Sequence, residues 1–333
     1  MFIRKIAAAA TMTAAIGHTP AIAEELSVAT FVPPSHETVT GVLTWFEEEM
    51  ERLSDGELTM KLYPAGQLGA GPVQQYKRAV EGVADITFGV AAYTPTIFPK
   101  TMLAILPGKS NTAVESTERL WNGFEEHLAD EFSEVKVLAV GTVAGSIYAG
   151  TRDISTLEGL NGAKLVPFAA MTAPVIQGLG AVPVTMEITD MYTALSTGTV
   201  DAITTSLNSL MPPWNLEEVI THVADNVPAT FQVTYFIMNK ERYDSLSADH
   251  RAIIDQLAGR PMSIELAKSF DSADEVAIEY FDGREVGYEW VTVSDEERDR
   301  MNAAVISGMS EIYEDYAALG IDNAEEIYMA LTQ

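Results

Sequence analysis

Short apolar stretches alternate with amphipathic ones along this chain, and that alternation constrains the fold more than any other feature. Between residues 58 and 62, apolar side chains occupy every second position, as in a half-buried β-strand. Between residues 38 and 53, Val42, Phe46 and Met50 instead recur at the spacing of one helix face. Strands and helices in turn predict an α/β fold with parallel or mixed sheets flanked by helices.

The same pattern predicts most of the strands. They are expected at residues 26–31, 58–62, 84–90, 102–106, 135–140, 163–166, 182–184, 201–204 and 233–238. Beyond residue 246 the chain reads as mostly helical. A continuous helix over residues 261–290 would be about 45 Å long at 1.5 Å per residue, which is enough to cross two lobes.

Two short stretches share one order of residue types. Gly82 ends a helix and Asp85 opens an apolar strand, and Gly198 and Asp201 repeat that arrangement. Two lobes of similar construction are therefore predicted. Lobe I comprises residues 24–142 and 232–272, and lobe II comprises residues 143–231 and 273–333.

The first 23 residues have the features of a secretory signal peptide. Arg4 and Lys5 precede an apolar run over residues 6–17, which is too short to span a bilayer. Ala21 and Ala23 fit the small-x-small rule for cleavage. We therefore expect export to the periplasm, with cleavage after Ala23 and no direct membrane insertion.

Charge and cysteine content narrow the possible partners and chemistry. Of 20 basic residues, Arg4 and Lys5 leave with the signal, so 18 basic and 48 acidic side chains give a net charge of −30. Such a charge disfavours nucleic acid and anionic membrane surfaces as partners. Cysteine is absent, so the core must stabilise the exported chain without disulfides, and thiol chemistry is excluded.

Catalytic and cofactor motifs are missing from the sequence. The Gly108–Ser110 stretch lacks the earlier glycine of a phosphate-binding loop, because Leu103 stands there. The histidines are isolated, and no Gly-x-Ser-x-Gly elbow is present. We therefore expect no enzyme activity, no cofactor and no metal site. A secreted hydrolase with catalytic residues distant in sequence is the alternative from another class.

Five blocks in order carry a resemblance to a known family. They are LYPAGQLG at 62–69, VEGVAD at 80–85, STLEGLNGAK at 155–164, LGAVPV at 179–184 and DMYTALSTGTVD at 190–201. Together they resemble the extracytoplasmic solute receptors of tripartite ATP-independent periplasmic (TRAP) transporters. The resemblance implies a two-lobed solute-binding fold, with a long helix bridging both lobes. It also implies a receptor that captures a small solute between the lobes and delivers it to a membrane permease. We expect the mature protein to be a monomer or a weak dimer.

In that family an arginine clamps the ligand's carboxylate, and here the matching residue is Val166. A second arginine of some members corresponds to Ser146. A carboxylate buried without a partner is costly, so we expect a small amine, an amino alcohol or a neutral polar solute. The alternative is an organic acid held by another cation, such as Lys109 or Arg152. Lys164 is a poor substitute, because it alternates with Leu165 and its stem can lie on the surface.

Candidate ligand-binding residues follow the predicted strands or flank the cleft. They are Ser35, His36, Tyr93, Ser146, Tyr148, Val166, Phe168, Glu187, Thr204, Thr205, Asn208 and Trp214. Structural roles compete with several of them. Tyr93 and Trp214 could simply pack the hinge, His36 could bond the backbone of its loop, and Glu187 and Asp190 could cap a helix. Asp85 and Asp201 are expected to be structural.

Overall fold

The computed structural model describes residues 23–106, 110, 112–145, 147–167, 172–228 and 230–332. Residues 1–22 of the predicted signal peptide, which comprises residues 1–23, lie outside this range. The strands are β1 Glu24–Ala29, β2 Leu58–Tyr63, β3 Ile86–Val90, β4 Val135–Gly145, β5 Ile147–Gly150, β6 Lys164–Val166, β7 Val182–Pro183, β8 Ala202–Thr205, β9 His222–Asp225, β10 Thr230–Asn239 and β11 Glu289–Thr292.

The helices surround these strands. They are α1 Thr44–Leu53, α2 Gln75–Val80, α3 Ala113–Gly123, α4 Leu157–Leu160, α5 Ala173–Gly178, α6 Ile188–Ser196, α7 Lys240–Ser245, α8 Ala248–Leu257, α9 Arg260–Phe281, α10 Asp295–Ala318 and α11 Ala324–Thr332. A π-helical segment, Val39–Leu43, leads directly into α1. None of the described helices is long and apolar enough to cross a membrane.

In the described part of the chain the strands form two mixed sheets, one in each lobe. The first has the order β2-β1-β3-β10-β4, with β10 antiparallel to both of its neighbours. The second has the order β11-β9-β5-β8-β6-β7, with β5 antiparallel to β8 and β9. The chain passes between the sheets from β4 to β5 and from β9 to β10. The predicted α/β fold of two lobes with helix-flanked mixed sheets is confirmed.

Helix α9 joins the two lobes through their cores. Met262 and Leu266 near its start lie in the apolar core of the first lobe, whereas Ala277 and Phe281 at its end lie in that of the second. Its 22 residues span about 33 Å. The predicted bridging helix is therefore present, but its predicted range of 261–290 is too long. Gly283 has a φ of 64°, a turn conformation that ends the helix, and the chain then forms β11.

Two other expectations from the sequence differ from the structure. The predicted strand at 102–106 is instead a 3₁₀-helical segment, Thr101–Ile105, in which every residue is buried. A fully apolar run carries no periodicity that would separate a strand from a buried helix. Helix α11 packs against α3, with Leu331 and Leu120 in one buried cluster, although the sequence placed its residues in lobe II. The remaining lobe boundaries stay a prediction.

Candidate ligand-binding cleft

A cleft between the lobes collects side chains from the ends of β1, β3, β8 and β10, and from α9. It is lined by Phe31, Val32, His36, Glu37, Phe88, Val90, Tyr93, Val143, Ile188, Thr205, Ser206, Ser209, Trp214, Gln232, Thr234 and Phe270. None of the described residues that line it is lysine or arginine. We call this cavity the aromatic cleft.

Aromatic rings form much of its wall. Phe31 and Phe88 are stacked with their centroids 5.6 Å apart. The His36 ring meets Trp214 edge-on at 5.8 Å and Phe270 at 6.5 Å. Burial lowers the pKa of His36 to about 3, so its imidazole is neutral at physiological pH. The wall therefore presents flat apolar surfaces suited to another ring.

Hydroxyl groups of lobe II face the same space. Thr205 ends β8, and Ser206 and Ser209 follow it in a 3₁₀ turn. The Ser206 hydroxyl donates to Asn208 Oδ1 at 2.5 Å and lies 2.9 Å from the Ser209 hydroxyl. These groups provide polar contacts at the carboxyl end of a strand, where ligands of open α/β sheets bind.

Glu37 lies between the lobes and is an acidic side chain in a cleft lining that is otherwise mostly apolar or uncharged. Its Oε1 accepts a hydrogen bond from Asn208 Nδ2 of lobe II at 2.9 Å. The pKa of Glu37 is raised to about 7, chiefly by burial and with a smaller contribution from the nearby Asp274 carboxylate. Asp274 itself accepts from the backbone N–H of Asn208, and burial raises its pKa to about 6.

A second contact between the lobes closes the other side of the cleft. The backbone N–H of Ile188, the first residue of α6, donates to the Tyr93 hydroxyl at 3.1 Å. A helix begins with N–H groups that have no partner within the helix. Tyr93 of lobe I therefore caps a helix of lobe II. Burial raises the pKa of Tyr93 to about 12, so it remains a neutral phenol.

The lobes stand nearly closed on this cleft. Its volume is about 60 Å³, well below the roughly 300–1,000 Å³ of ligand pockets. In this arrangement the cleft is therefore too small for a ring-sized ligand. A larger cavity of about 600 Å³ lies beside it, lined by residues that include Ser35, Glu37, Trp45, Asn208 and Lys268. Glu37 lines both cavities.

Six of the twelve residues proposed from the sequence line one of these cavities. His36, Tyr93, Thr205 and Trp214 line the aromatic cleft. Ser35 and Asn208 line the larger cavity. Trp214 also packs against the apolar cores of both lobes. Tyr93 also forms a hydrogen bond between the lobes.

Tyr148 and Thr204 were expected at the cleft but lie elsewhere. They are opposite each other on β5 and β8, on the sheet face away from Thr205, because successive strand residues point to opposite faces. Tyr148 belongs to a buried apolar cluster with Leu165 and Ala202. The buried Thr204 hydroxyl has no hydrogen-bond partner among the described residues.

Val166, a predicted ligand-binding residue, does not line either cavity. Its side chain is fully buried in the lobe II core, in one cluster with Ile203 and Met191. Glu187 occupies the position before α6, is half-buried, and makes no capping hydrogen bond to that helix. Ser146 and Phe168 lie outside the described residues, so their proposed roles stay predictions.

The alternative cations also differ in their placement. Lys164 Nζ donates to the carbonyls of Gly198 and Thr199 at the surface, as the alternation of its strand predicts. Arg152 is exposed beyond the end of β5 that is farther from Thr205. Lys109 lies outside the described residues.

Sequence reasoning missed Glu37 and most of the aromatic wall. Phe88 and Thr234 lie within strands, and Phe270 lies on α9, whereas the predicted residues were expected after strands or beside the cleft. Glu37 directly follows His36 in the sequence but was not among the predicted residues. In the described residues, no three histidine or acidic side chains form a group that could hold a metal ion.

Comparison with known families decides the class of protein. The sequence profile of DctP, described as "Bacterial extracellular solute-binding protein, family 7", matches residues 28–316. The chain belongs to this family, whose solved relatives are TRAP solute-binding proteins. Members of the family bind small-molecule solutes and work with membrane permease subunits. The predicted TRAP receptor is confirmed.

Three relatives show the extent of the similarity. The outer membrane transporter protein TsaT of Comamonas testosteroni is 24% identical over 264 residues, which are 78% of this chain and 77% of TsaT. A TRAP solute-binding protein of an unidentified marine microbe, solved with 3-hydroxybenzoate and described as specific for aromatic acids, is 26% identical. Its TM-score is 0.86, and the match covers 93% of this chain and 97% of that protein.

The third relative is a TRAP periplasmic solute-binding protein of Bordetella bronchiseptica, solved with bound mandelate. It is 25% identical with a TM-score of 0.81, and the match covers 93% of this chain and 98% of that protein. These complexes contradict the ligand expected from the sequence, since both relatives bind carboxylates. The prediction of an amine or neutral solute was wrong because it equated the loss of arginine with the loss of every means of holding an anion. Hydroxyl, amide and neutral acid groups also donate hydrogen bonds to carboxylates.

Proposed function

We propose that this protein is the TRAP receptor for a small aromatic carboxylate. The observation that carries the proposal is the aromatic wall of the cleft, with rings from Phe31, Phe88, Tyr93, Trp214 and Phe270. A benzoate-like ring stacks on such faces with favourable edge and face contacts. The similarity to receptors solved with 3-hydroxybenzoate and mandelate supports the same ligand class.

Hydrogen-bond donors of the cleft hold the carboxylate in this proposal. Thr205 supplies a hydroxyl from lobe II, and Gln232 supplies an amide from β10. Ser206 and Ser209 can donate to the ligand once they exchange their present hydrogen bonds to Asn208 and to each other. A carboxylate that accepts two or three such bonds is stabilised in its charged form. The ring and the carboxylate would thus be bound by opposite parts of one cleft, which draws the lobes together.

The remaining parts of the proposal concern the whole protein. The mature chain begins at Glu24 after signal cleavage, functions as a periplasmic monomer, and releases its ligand chemically unchanged to the permease. Mass spectrometry of the exported protein and nuclear magnetic resonance of the ligand after incubation test these points. A new product signal, or a start other than Glu24, would contradict them.

Thermal stabilisation tests the ligand class directly. We expect benzoate, 3-hydroxybenzoate or mandelate to stabilise the mature protein, by about 2.7 kcal/mol at 100 times the dissociation constant. Galactonate serves as a non-aromatic acid and choline as a cation, and neither should act. Trp214→Ala should weaken the effect, whereas Trp45→Ala, in the larger cavity, should leave it in place.

Two results would contradict the proposal. Stabilisation by galactonate or choline, with none by an aromatic acid, would assign a different ligand class. Loss of binding in Trp45→Ala but not in Trp214→Ala would place the ligand in the larger cavity.

A further inference from the structure

We infer that Glu37 binds the ligand as a neutral acid, donating a hydrogen bond from its protonated carboxyl group to the ligand's carboxylate. The inference rests on the proposed aromatic carboxylate, because it concerns how that ligand is held. The proton of Glu37 would then stabilise the ligand's carboxylate, as the side chain of a lysine or arginine otherwise does. The described lining of the aromatic cleft contains neither of those residues.

The position of Glu37 allows this contact. Its side chain is only 15% exposed, and the residue lines both the aromatic cleft and the larger cavity. Asn208 Nδ2 donates a hydrogen bond to Glu37 Oε1 at 2.9 Å. The other oxygen, Oε2, lies 3.4 Å from His36 Nδ1. One carboxyl oxygen is therefore held in place by lobe II, and the other is the candidate donor.

The hydrogen bonds of His36 favour a proton on Glu37. The backbone N–H of Thr38 donates to His36 Nδ1 at 3.3 Å, and the Thr38 hydroxyl lies 3.0 Å from the same nitrogen, so Thr38 already occupies it. His36 therefore gives an ionised Oε2 no hydrogen-bond donor, and the proton of a neutral Glu37 stays available to the ligand. Because His36 is buried and neutral, it does not supply the positive charge that would stabilise an ionised Glu37.

The charged groups on the neighbouring elements also favour a protonated Glu37. On α9, Asp271 contributes to the raised pKa of Asp274, and Asp274 in turn contributes to the raised pKa of Glu37. Glu265 and Lys268 of α9 line the larger cavity, but their side chains pair with each other at 2.7 Å. Tyr93, across the cleft, is a neutral phenol. The turn Leu207–Leu210 contributes Asn208 and no titratable group.

A neutral Glu37 and a charged ligand make a matched pair. An O–H donor and a carboxylate acceptor form a short, charge-assisted hydrogen bond. Two ionised carboxylates at the same distance would repel each other, so one of a close pair retains a proton. Ligand binding at pH values above the pKa of Glu37 must therefore take up one proton. Affinity is expected to fall as the pH rises.

Calorimetric titration with benzoate tests this inference, because benzoate stays charged throughout the range used. We expect a constant affinity between pH 5.5 and 6, and a decrease of about tenfold per pH unit above pH 7. Titrations in two buffers with different ionisation enthalpies should show proton uptake approaching one per ligand at pH 8.5. Both measurements use the wild-type protein and need no variant.

Glu37→Gln provides the matched variant, because its amide keeps the acceptor for Asn208 and a permanent donor at the other atom. Its affinity for benzoate should not change with pH. Asp274→Asn removes the neighbouring acid and should retain the decrease. Circular dichroism confirms that each variant is folded.

Three outcomes decide the question. Wild-type binding that is independent of pH would overturn the inference and leave the proposed function intact. A pH-dependent Glu37→Gln, or an Asp274→Asn variant that loses the dependence, would assign the proton to another group. Failure of benzoate, 3-hydroxybenzoate and mandelate to bind at any pH would overturn the proposed function itself.

Discussion

At the scale of single residues, the role predicted for Val166 differs from the one that the structure shows. Its place at the end of a short strand indicated contact with ligand, and the related family has an arginine there. In the structure the side chain is fully buried with Ile203 and Met191 in the lobe II core. The residue therefore stabilises the lobe that carries Thr205 and the serines of the cleft.

Val166→Arg should destabilise the protein by about 3 kcal/mol or more, because it places a guanidinium among apolar side chains. Urea unfolding monitored by circular dichroism measures this change. Lys164→Arg, at a surface position of the same strand, should remain within about 0.5 kcal/mol of the wild type. A stable Val166→Arg variant that binds benzoate more than tenfold tighter would show that the side chain reaches the ligand.

At the scale of secondary-structure elements, both lobes contain the same hydrogen-bonding motif, an aspartate that precedes one strand and accepts from the backbone of its neighbour. Asp85 precedes β3 and accepts from the backbone N–H of Ser27 on β1 at 2.8 Å. Asp201 precedes β8 and accepts from the backbone N–H of Lys164 on β6 at the same distance. The glycines before them, Gly82 and Gly198, both have a φ of 68°, which ends the preceding helix. In each case an aspartate fixes the start of a parallel strand pair.

Asp201→Ala should lower the free energy of unfolding by about 1–2 kcal/mol, since it leaves the Lys164 N–H without its acceptor. Asp201→Asn keeps a side-chain oxygen and should lose less. Urea unfolding of both variants gives the comparison. Equal losses would show that charge, rather than the hydrogen bond to the strand, explains the aspartate.

The helix cap that Tyr93 provides for α6 couples the lobes. Tyr93→Phe removes the acceptor for Ile188 N–H and should weaken benzoate binding about fivefold, the equivalent of one hydrogen bond. The exposed Tyr192 hydroxyl, which donates to Glu218 at 2.9 Å, offers a control of the same chemistry on α6. Calorimetry should find Tyr192→Phe unchanged. Equal effects of the two variants would exclude a special role for the contact between lobes.

At the scale of the whole molecule, negative charge and lobe connection act together. The full chain has a formal charge of −28 with 48 acidic residues. Helix α9 extends from the core of one lobe to that of the other, and β4 and β10 carry the chain across. A strongly charged protein repels itself in its compact state. The acidic surface thus opposes the closure that the cleft and its ligand favour.

Sodium chloride should therefore raise the melting temperature. Between 10 mM and 100 mM salt the screening length falls from about 30 Å to about 10 Å, which weakens repulsion between distant acidic groups. We expect a rise of several degrees, since each kcal/mol corresponds to roughly 2–4 °C for a large domain. Differential scanning fluorimetry measures it, with potassium chloride as the control for ion identity. A melting temperature that falls with salt would show that attractive ion pairs dominate.

The sequence by itself determined the α/β class, the two lobes, the bridging helix and the TRAP family. Hydrophobic periodicity and ordered motifs are local properties, so they can be recognised in the sequence without knowledge of how the chain packs. The paired aspartates were likewise recognised as structural from their repeated setting. Local signals were weaker at β5, β9 and β11, which are strands of four residues that sequence reasoning did not predict.

Only the tertiary structure decided which residues form the cleft. Alternation along β5 and β8 separates two faces, but it does not say that Thr205 faces the cleft while Tyr148 and Thr204 face the core. Phe270 reaches the cleft through the packing of α9, far along the chain from Phe31. The environment of Glu37 is also tertiary, because burial between lobes, a hydrogen bond from Asn208 and the charge of Asp274 together set its protonation. Contacts between distant segments fix these properties, and no spacing within the sequence encodes them.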